Sequence, residues 1–323
     1  MIAFPTVIDS TMRSAFLACP QKFYLEFLCA LRPLRPNVHL HFGACFARAL
    51  EVARKTVVVE KLESAEAEGL HALIEAWGDF PNDMDPLKTL DTCVACYEAY
   101  LNRWPLDDSF APQPLQLENG KPAVECRLRM ELPLKTPDGQ PIYYAGRFDA
   151  LMRSPEGLIL FCDEKTSKQL GKNWVKQWRM RGQFLGYDAL AIANGFDCAG
   201  GLIRGVAPRS DGTVDLLETT ILFPRWEVER WYALLLHDVE RMLWHHQHSY
   251  WPLDGSGESC NAYGGCPYLS ICQDADGANA PFVASAYRHE QWDPLAERPS
   301  AQASQRIAIT EAQVEAHEYE SCT

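Results

Sequence analysis

Between Ala123 and Ser167 the chain carries three strand-like runs separated by two tight turns, and this stretch restricts the fold more than any other. In AVECRLRMEL, Val124, Cys126, Leu128, Met130 and Leu132 alternate with Glu125, Arg127, Arg129 and Glu131, the period-two pattern of a half-buried strand. Pro137-Asp138-Gly139 marks a turn and IYYAGRFDALM a second strand. Pro155-Glu156-Gly157 marks another turn, and LILFCDEK is a third strand that begins as a continuous apolar run. Such short connections predict an antiparallel meander.

Text of helical character surrounds the meander. Ser10 or Thr11 can cap a helix through about Leu28, with Phe16, Leu17, Phe23, Tyr24, Phe27 and Leu28 forming an apolar stripe before Pro33 and Pro36 break it. A helical pattern begins again at Gly43, in GACFARALEVARKTVVVEKL, followed by helices near 64–77 and 86–103 and a proline-rich connector from Pro105 to Pro114. After the meander a long helix is predicted from Trp174 to Ala193, ended by Asn194-Gly195. A strand pair near 199–206 and 214–223, a helix from Arg225 to His246, and a glycine- and cysteine-bearing segment at 255–273 follow. Beyond Asp274 the text turns to Ala, Ser, Gln and Glu, with one short helix expected near 309–319. Consecutive strands set among helices predict an α/β (α+β) chain, and 323 residues that are 47% apolar suffice for a substantial core.

The first residues, MIAFPTVIDS, lack the basic start and long apolar run of a signal peptide, and no uninterrupted apolar stretch is long enough to span a bilayer. A cytoplasmic chain is therefore expected, without membrane partners. There thiols stay reduced, so the 12 cysteines are expected to be buried thiols or metal ligands rather than disulfides.

The chemistry concentrates in GRFDALMRSPEGLILFCDEKTS. Asp149 lies late in the second strand, and Asp163 and Lys165 end the third. A hairpin brings them together, and alternation puts Asp163 and Lys165 on one face with Glu164 pointing away. Two carboxylates beside a lysine suit a hard divalent cation, with the lysine able to orient or help deprotonate a water, or to stabilise negative charge on phosphorus. The plainer reading, a polar strand terminus, competes with this one.

In this order of parts the sequence resembles the PD-(D/E)xK nuclease superfamily, specifically its RecB-like branch. That branch combines an acid on one strand, acid-x-Lys on the next, and Gln-x-x-x-Tyr on the following helix. The matching residues are Asp149, Asp163, Lys165, and Gln183 and Tyr187 in QFLGY. The resemblance implies a restriction-endonuclease-like core, a mixed central sheet flanked by helices. It implies that Asp149, Asp163 and the carbonyl of Glu164 bind Mg2+ or Mn2+, that Lys165 positions the attacking water, and that Gln183 and Tyr187 steady the lysine loop and the nucleic-acid backbone. One position departs: many relatives carry a metal-binding His in FGxxFHxxLE, whereas this chain has FGACFARALE with Ala47 there. His39 and His41 are displaced from that face, while Glu51 fits the pattern and could contribute through a water.

SCNAYGGCPYLSIC spaces Cys260, Cys266 and Cys272 at equal intervals among Gly and Pro, a loop able to wrap a soft-metal centre with thiolates. The fourth ligand comes from resemblance. Cluster-bearing RecB-like nucleases, AddB-like and CRISPR-associated exonucleases among them, have one cysteine in a CPxKFYL-like helix and three after the core. Cys19 in CPQKFYL matches. Their four cysteines hold a [4Fe-4S] cluster that staples the two ends of the chain. A structural zinc is the chemical alternative, and buried free thiols the plainer one. Cys93 and Cys96, with Cys29, Cys45, Cys126, Cys162 and Cys198, read as packing residues and Cys322 as tail. WHHQH reads as a helix end whose histidines favour the C-terminal dipole.

The implied domain order is a helical region at 1–105 that contributes the first cluster cysteine, a nuclease core at 115–250, a cluster segment at 251–275 and a peripheral acidic tail at 276–323. The net charge of -13, from 43 acids and 30 bases, argues against nucleic acid as a partner only as an average. Lys165, Lys168, Lys172, Lys176, Arg179 and Arg181 fall in one stretch without an acid. Trp174 and Trp178 are interleaved, either as a base-stacking lip or as core. The expected activity is metal-dependent DNA hydrolysis on single strands or ends, alongside a separate helicase or a recombination or adaptation protein. The alternative is a catalytically decayed DNA-binding or scaffolding module. No GxxxxGK[ST] is present, so any motor would be another chain.

Overall fold

A computed structural model describes residues 2–34, 37–262, 265–274 and 280–296. The predicted helix at 309–319, Cys322, Pro36 and the Tyr263-Gly264 linker lie outside the described residues. Strand β1 (Val7–Ile8) leads into α1 (Ser10–Ala18), whose first turn is capped by Asp9 accepting from Met12 N at 2.8 Å. The single helix expected through Leu28 is divided. Pro20 has no N–H to continue α1, so the chain restarts as α2 (Pro20–Phe23) and passes into a π-helical turn at Tyr24–Leu28. Strand β2 (Leu31–Pro33) follows. Helix α3 (Val38–Thr56) starts earlier than Gly43 because the Asn37 side chain caps His39 N and Leu40 N. Helices α4 (Leu62–Trp77) and α5 (Leu90–Arg103) complete the layer, and strand β3 (Gln113–Pro114) leaves it.

The meander is β4 (Val124–Lys135), β5 (Pro141–Arg153) and β6 (Ile159–Thr166), antiparallel throughout. A crossover through α6 (Lys172–Lys176) and α7 (Gly182–Ala193) returns the chain to β7 (Cys198–Pro208), parallel to β6. Strand β8 (Val214–Leu222) closes that edge antiparallel to β7, and α8 (Arg225–Gln247) packs back over α7. The sheet is mixed and flanked by helices on both faces, as expected. Phe161, Phe184, Tyr187, Leu190, Trp231 and Leu235 fill the face under α7 and α8, and Phe42, Phe46, Leu73, Trp77 and Tyr97 form the core of the α3–α5 layer, where Val206 of β7 joins them.

After α8 come α9 (Glu258–Asn261), α10 (Leu269–Gln273), α11 (Ala280–Ala286) and β9 (Tyr287–His289). Residues 280–296 are built into the fold rather than trailing from it. Strand β9 pairs antiparallel with β2, and Tyr268, Ile271, Val283 and Tyr287 pack with Leu25, Cys29 and Leu31.

Candidate active site

Strand β5 is long because its neighbours change along it. Ala150 pairs with Val124 of β4 on one edge and with Cys162 of β6 on the other. The β5–β6 ladder runs from Arg153↔Ile159 to Ala150↔Cys162 and ends, while β6 stays paired with β7 as far as Thr166. The two strands therefore fork just beyond Ala150 and Cys162, and the next residues are Asp149 and Asp163. Asp149 Oδ2 accepts from the Glu164 N–H at 3.0 Å, a donor that the fork takes out of the β5 ladder.

Asp163 is buried, and Lys165 Nζ lies 2.7 Å from its Oδ2. Both side chains share the face of Phe161, while Cys162 and Glu164 turn to the other, as alternation requires. Burial pushes the Asp163 carboxyl up to about 7; Lys165 pulls against this and the Asp149 charge adds to it. Burial would lower the Lys165 ammonium, but the two carboxylates outweigh it and hold the amine protonated.

Helix α7 covers the fork at close range because two glycines permit it. A methyl on Gly146 of β5 would lie 2.8 Å from Leu190, and one on Gly186 would lie 2.5 Å from Tyr144 Oη and 2.9 Å from Trp231. The resulting contact lets Tyr187 Oη donate to Arg147 O at 2.7 Å and accept from Gln183 Nε2 at 3.0 Å. Its ring stacks on Phe148 at 4.5 Å, and burial followed by Asp163 and Asp149 raises its phenol well above the ordinary value.

One residue opposite Asp149 makes this aim possible. Along β5, Ile142, Tyr144 and Phe148 face α7, yet so does Leu151, while Ala150 and Met152 face away. The alternation slips by one position next to Asp149. On β4 the register sets Glu125 across from Asp149, between Val124↔Ala150 and Cys126↔Phe148, and Glu125 adopts φ +52°. A left-handed backbone costs a non-glycine residue on the order of 1 kcal/mol, and such irregularities gather where a strand must re-aim a side chain. The plain alternation read for β4 set Glu125 on the polar side. Instead it is buried and paired with Arg147 Nε at 3.0 Å.

The long helix predicted over 174–193 is broken at residues 177–181. Trp174 packs over Gly205 and Trp178 against the Phe184 ring, both buried, and α7 begins anew at Gly182. The indoles are therefore core, not a stacking platform. Lys168, Lys172, Lys176, Arg179 and Arg181 remain exposed along the crossover that follows β6, with Arg179 donating to Leu222 O at 3.1 Å and paired to Glu227.

His41 stacks on Phe80 at 3.8 Å in the first turn of α3, and His39 is exposed there, so both lie on the helix rather than in a loop. Glu51 sits between Arg48 at 2.9 Å and Lys55 at 2.6 Å; burial opposes its ionisation, and the two cations more than offset this. His245, His246 and His248 each meet a backbone carbonyl, of Tyr250, Ile2 and Trp244 respectively.

The donor chemistry at the fork suits a hard divalent cation. Asp149 and Asp163 are oxygen donors that repel each other, and among the described residues Asp163 Oδ2 has no hydrogen-bond donor apart from the lysine ammonium. Glu164 can offer only its carbonyl, because its carboxylate is bound on the opposite face by Arg54 and Tyr100. Far from the fork, Ser259 Oγ donates to Ala18 O at 2.8 Å and Cys266 N to Cys260 O at 2.7 Å, which bring the cysteine segment to Cys19. Burial raises the Cys266 and Cys272 thiols, and the neighbouring Cys19 and Cys260 raise both further. The four thiols thus share one electrostatic neighbourhood. Among the described residues no group of three or more His, Cys, Asp or Glu is arranged to hold a metal ion. Cys29, Cys45, Cys93, Cys96, Cys162 and Cys198 are buried free thiols and Cys126 a half-buried one.

Sequence reading missed Arg54, Tyr100, Arg204, Glu125 and Arg147. Nothing in the text links Arg54 with Glu164 across the chain, and only the fold could pair them.

A family model described as the PD-(D/E)XK nuclease superfamily matches residues 11–273. Among solved structures, a "Putative exonuclease" from Eubacterium rectale is 14% identical at a TM-score of 0.47, covering 78% of this chain and 85% of that one. SSO0001 is 14% identical at a TM-score of 0.28, covering 61% and 84%. No curated protein matches. Among the described residues no helix is long and apolar enough to cross a membrane.

Proposed function

Because this chain belongs to the PD-(D/E)XK nuclease superfamily, we propose that it is a metal-dependent deoxyribonuclease of RecB-like type, an exonuclease acting on single-stranded DNA or DNA ends. The observation that carries this reading is the fork: Asp149 and Asp163 at the point where β5 and β6 part, with Lys165 against Asp163. When bound there, Mg2+ or Mn2+ would supply a Lewis acid toward phosphodiester oxygen. Asp149 and Asp163 would hold it, with the Glu164 carbonyl as a further donor.

The protein's own groups have separable tasks. Lys165 is protonated, so in this state it orients a water and offsets charge on phosphorus rather than removing a proton. Tyr187 and Gln183 brace the β5 backbone at Arg147 and thereby the position of Asp149. The exposed cations of 168–181 give the phosphate backbone a local path despite the net charge of -13. Cys19, Cys260, Cys266 and Cys272 would hold a [4Fe-4S] cluster; the support is the resemblance together with the Ser259–Ala18 bond that brings the later cysteines up to Cys19. The order of helical region, nuclease core and cysteine segment goes with this reading, with residues 280–296 joined to the helical region instead of lying in a peripheral tail, as does a separate helicase or adaptation partner.

The test is anaerobic purification followed by end-labelled single- and double-stranded DNA with Mg2+ or Mn2+. The expected result is a brown protein that shortens DNA from its ends, with hydrolysis abolished in Asp163→Ala and Lys165→Ala. Colourless, zinc-loaded protein would remove the cluster alone. DNA binding without hydrolysis in wild type would replace the nuclease by a decayed binding module.

A further inference from the structure

Glu164 stands between Asp163 and Lys165, and its carboxylate accepts four hydrogen bonds. Arg54 embraces it with both guanidinium nitrogens, Nη1 to Oε2 at 3.1 Å and Nη2 to Oε1. Tyr100 Oη donates to Oε1 at 2.9 Å, and the Cys162 thiol to the same oxygen at 3.1 Å. The side chains of Arg54 and Glu164 are each only 3% exposed. Tyr100 Oη in turn accepts from Arg54 Nη2 at 2.8 Å and from Arg204 Nη1 at 3.0 Å. Arg204 faces Glu164 across the parallel β6–β7 pair and binds Glu218 of β8 at 2.8 Å. Two guanidiniums and two carboxylates form one neutral network joining α3, α5, β6, β7 and β8.

Stability alone is a poor reason for such a network. Desolvating buried ions costs about as much as their attraction returns, and well-packed apolar replacements are often neutral. Mechanics offer a better reason. Beyond Cys162, strand β6 has lost β5 and keeps a ladder only with β7. A strand laddered along one edge, with a single side-chain bond from Asp149 to the Glu164 N–H on the other, resists rotation about its own axis less than a strand laddered on both, and this is the motion that would re-aim Asp163 and Lys165. Glu164 projects from the opposite face of the same backbone, so a clamp on its carboxylate opposes that rotation.

We propose that Arg54 is a positioning residue that acts through Glu164 to fix the direction of Asp163 and Lys165, with Tyr100 and Arg204 holding the clamp. The inference rests on the reading of Asp163 and Lys165 as the metal-holding and water-positioning pair. It makes the helical layer before the sheet a working part of the nuclease.

The deciding variant is the double substitution Arg54→Met/Glu164→Met, which removes the ion pair, keeps bulk and leaves no unmatched charge. Four quantities are read: kcat and KM on single-stranded DNA with Mn2+, Mn2+ affinity without DNA by electron paramagnetic resonance, and Tm. Positioning predicts a fall in kcat of about tenfold to a hundredfold with KM nearly unchanged, and weaker Mn2+ binding, while Tm stays close to wild type. Arg54→Lys keeps the charge but lacks the two-pronged guanidinium, and should fall between the two. A folded double variant with wild-type kcat and Mn2+ affinity overturns the inference. Where the double variant does not fold, wild-type Mn2+ affinity and kcat in Arg54→Lys overturn it equally. A wild-type protein inert toward both DNA and Mn2+ removes the reading of the site, and this inference with it.

Discussion

Replacing Asp163 with Asn should abolish nuclease activity and, without divalent cations, make the protein more stable. The carboxyl is buried between Asp149 and Lys165 and is pushed from 3.8 up to about 7. A group whose folded pKa is raised favours folding fully below its unfolded value and loses that contribution as pH rises through the folded one. At about 1.4 kcal/mol per unit, the wild-type loss between these limits is at most about 4 kcal/mol. Asn has no such titration. The stability gap between Asp163→Asn and wild type should therefore widen by roughly 2 to 3 kcal/mol between pH 5 and pH 8. Urea unfolding in EDTA at the two pH values measures it directly. Magnesium at a hundred times its Kd should narrow the gap at pH 8 by about 2.7 kcal/mol, because it stabilises the form that binds it and the Asp163→Asn variant does not hold it as well. A gap that is absent, or the same at both pH values, refutes the argument that Asp163 is held ionised at a cost. The same linkage requires metal affinity to rise from pH 6 to pH 8 as the competing proton leaves.

Gly186→Ala puts a methyl 2.5 Å from Tyr144 Oη and 2.9 Å from Trp231, so the urea midpoint should fall by an amount equivalent to about 2 kcal/mol despite alanine's higher helix propensity. An unchanged midpoint would mean that α7 does not lie this close to β5 and α8. Tyr187→Phe removes the bond to Arg147 O and leaves Gln183 Nε2 without that partner; a loss of about 1 to 2 kcal/mol is expected, together with a lower kcat in the DNA-shortening assay. Wild-type kcat would leave Tyr187 as packing alone. Asp188 is buried in α7, its carboxyl raised to about 6 by burial, with no nitrogen or oxygen donor on either oxygen among the described residues. Asp188→Asn should stabilise the protein at pH 8 by up to about 3 kcal/mol and have little effect near pH 4; a less stable variant at pH 8 would contradict this.

Local signals in the text proved strong where one kind of force decides the outcome. The alternation of β4, the turns at Pro137 and Pro155, and the apolar start of β6 are each set by burial of one strand face or by backbone geometry, and the antiparallel meander followed from them. The same alternation put Asp163 and Lys165 on one side and Glu164 on the other. Helix limits were less legible. Trp174 and Trp178 have helical spacing that continues unbroken in the sequence, but the chain turns after α6 and restarts at Gly182, with the two indoles packed edge to face on each other and against Gly205 and Phe184. Asn37 and Pro20 were visible signals that moved one helix start and divided another. Glu125 could not be read at all, since a left-handed backbone there answers to a strand opposite it.

By itself the sequence determined the order of strands and helices, the acid-x-Lys at a strand end, the glutamine and tyrosine one turn apart, and the cysteines at both ends of the chain. Apart from the grouping of Cys19 with the later cysteines, these are properties of neighbours a few residues apart, where periodicity and side-chain chemistry act directly. Tertiary structure alone decided that β5 and β6 part beside Asp149, that Arg54 grips Glu164 from another layer, and that residues 287–289 pair with 31–33. Those outcomes depend on which distant surfaces fit together once buried, and no local pattern encodes a partner that the chain meets only after folding.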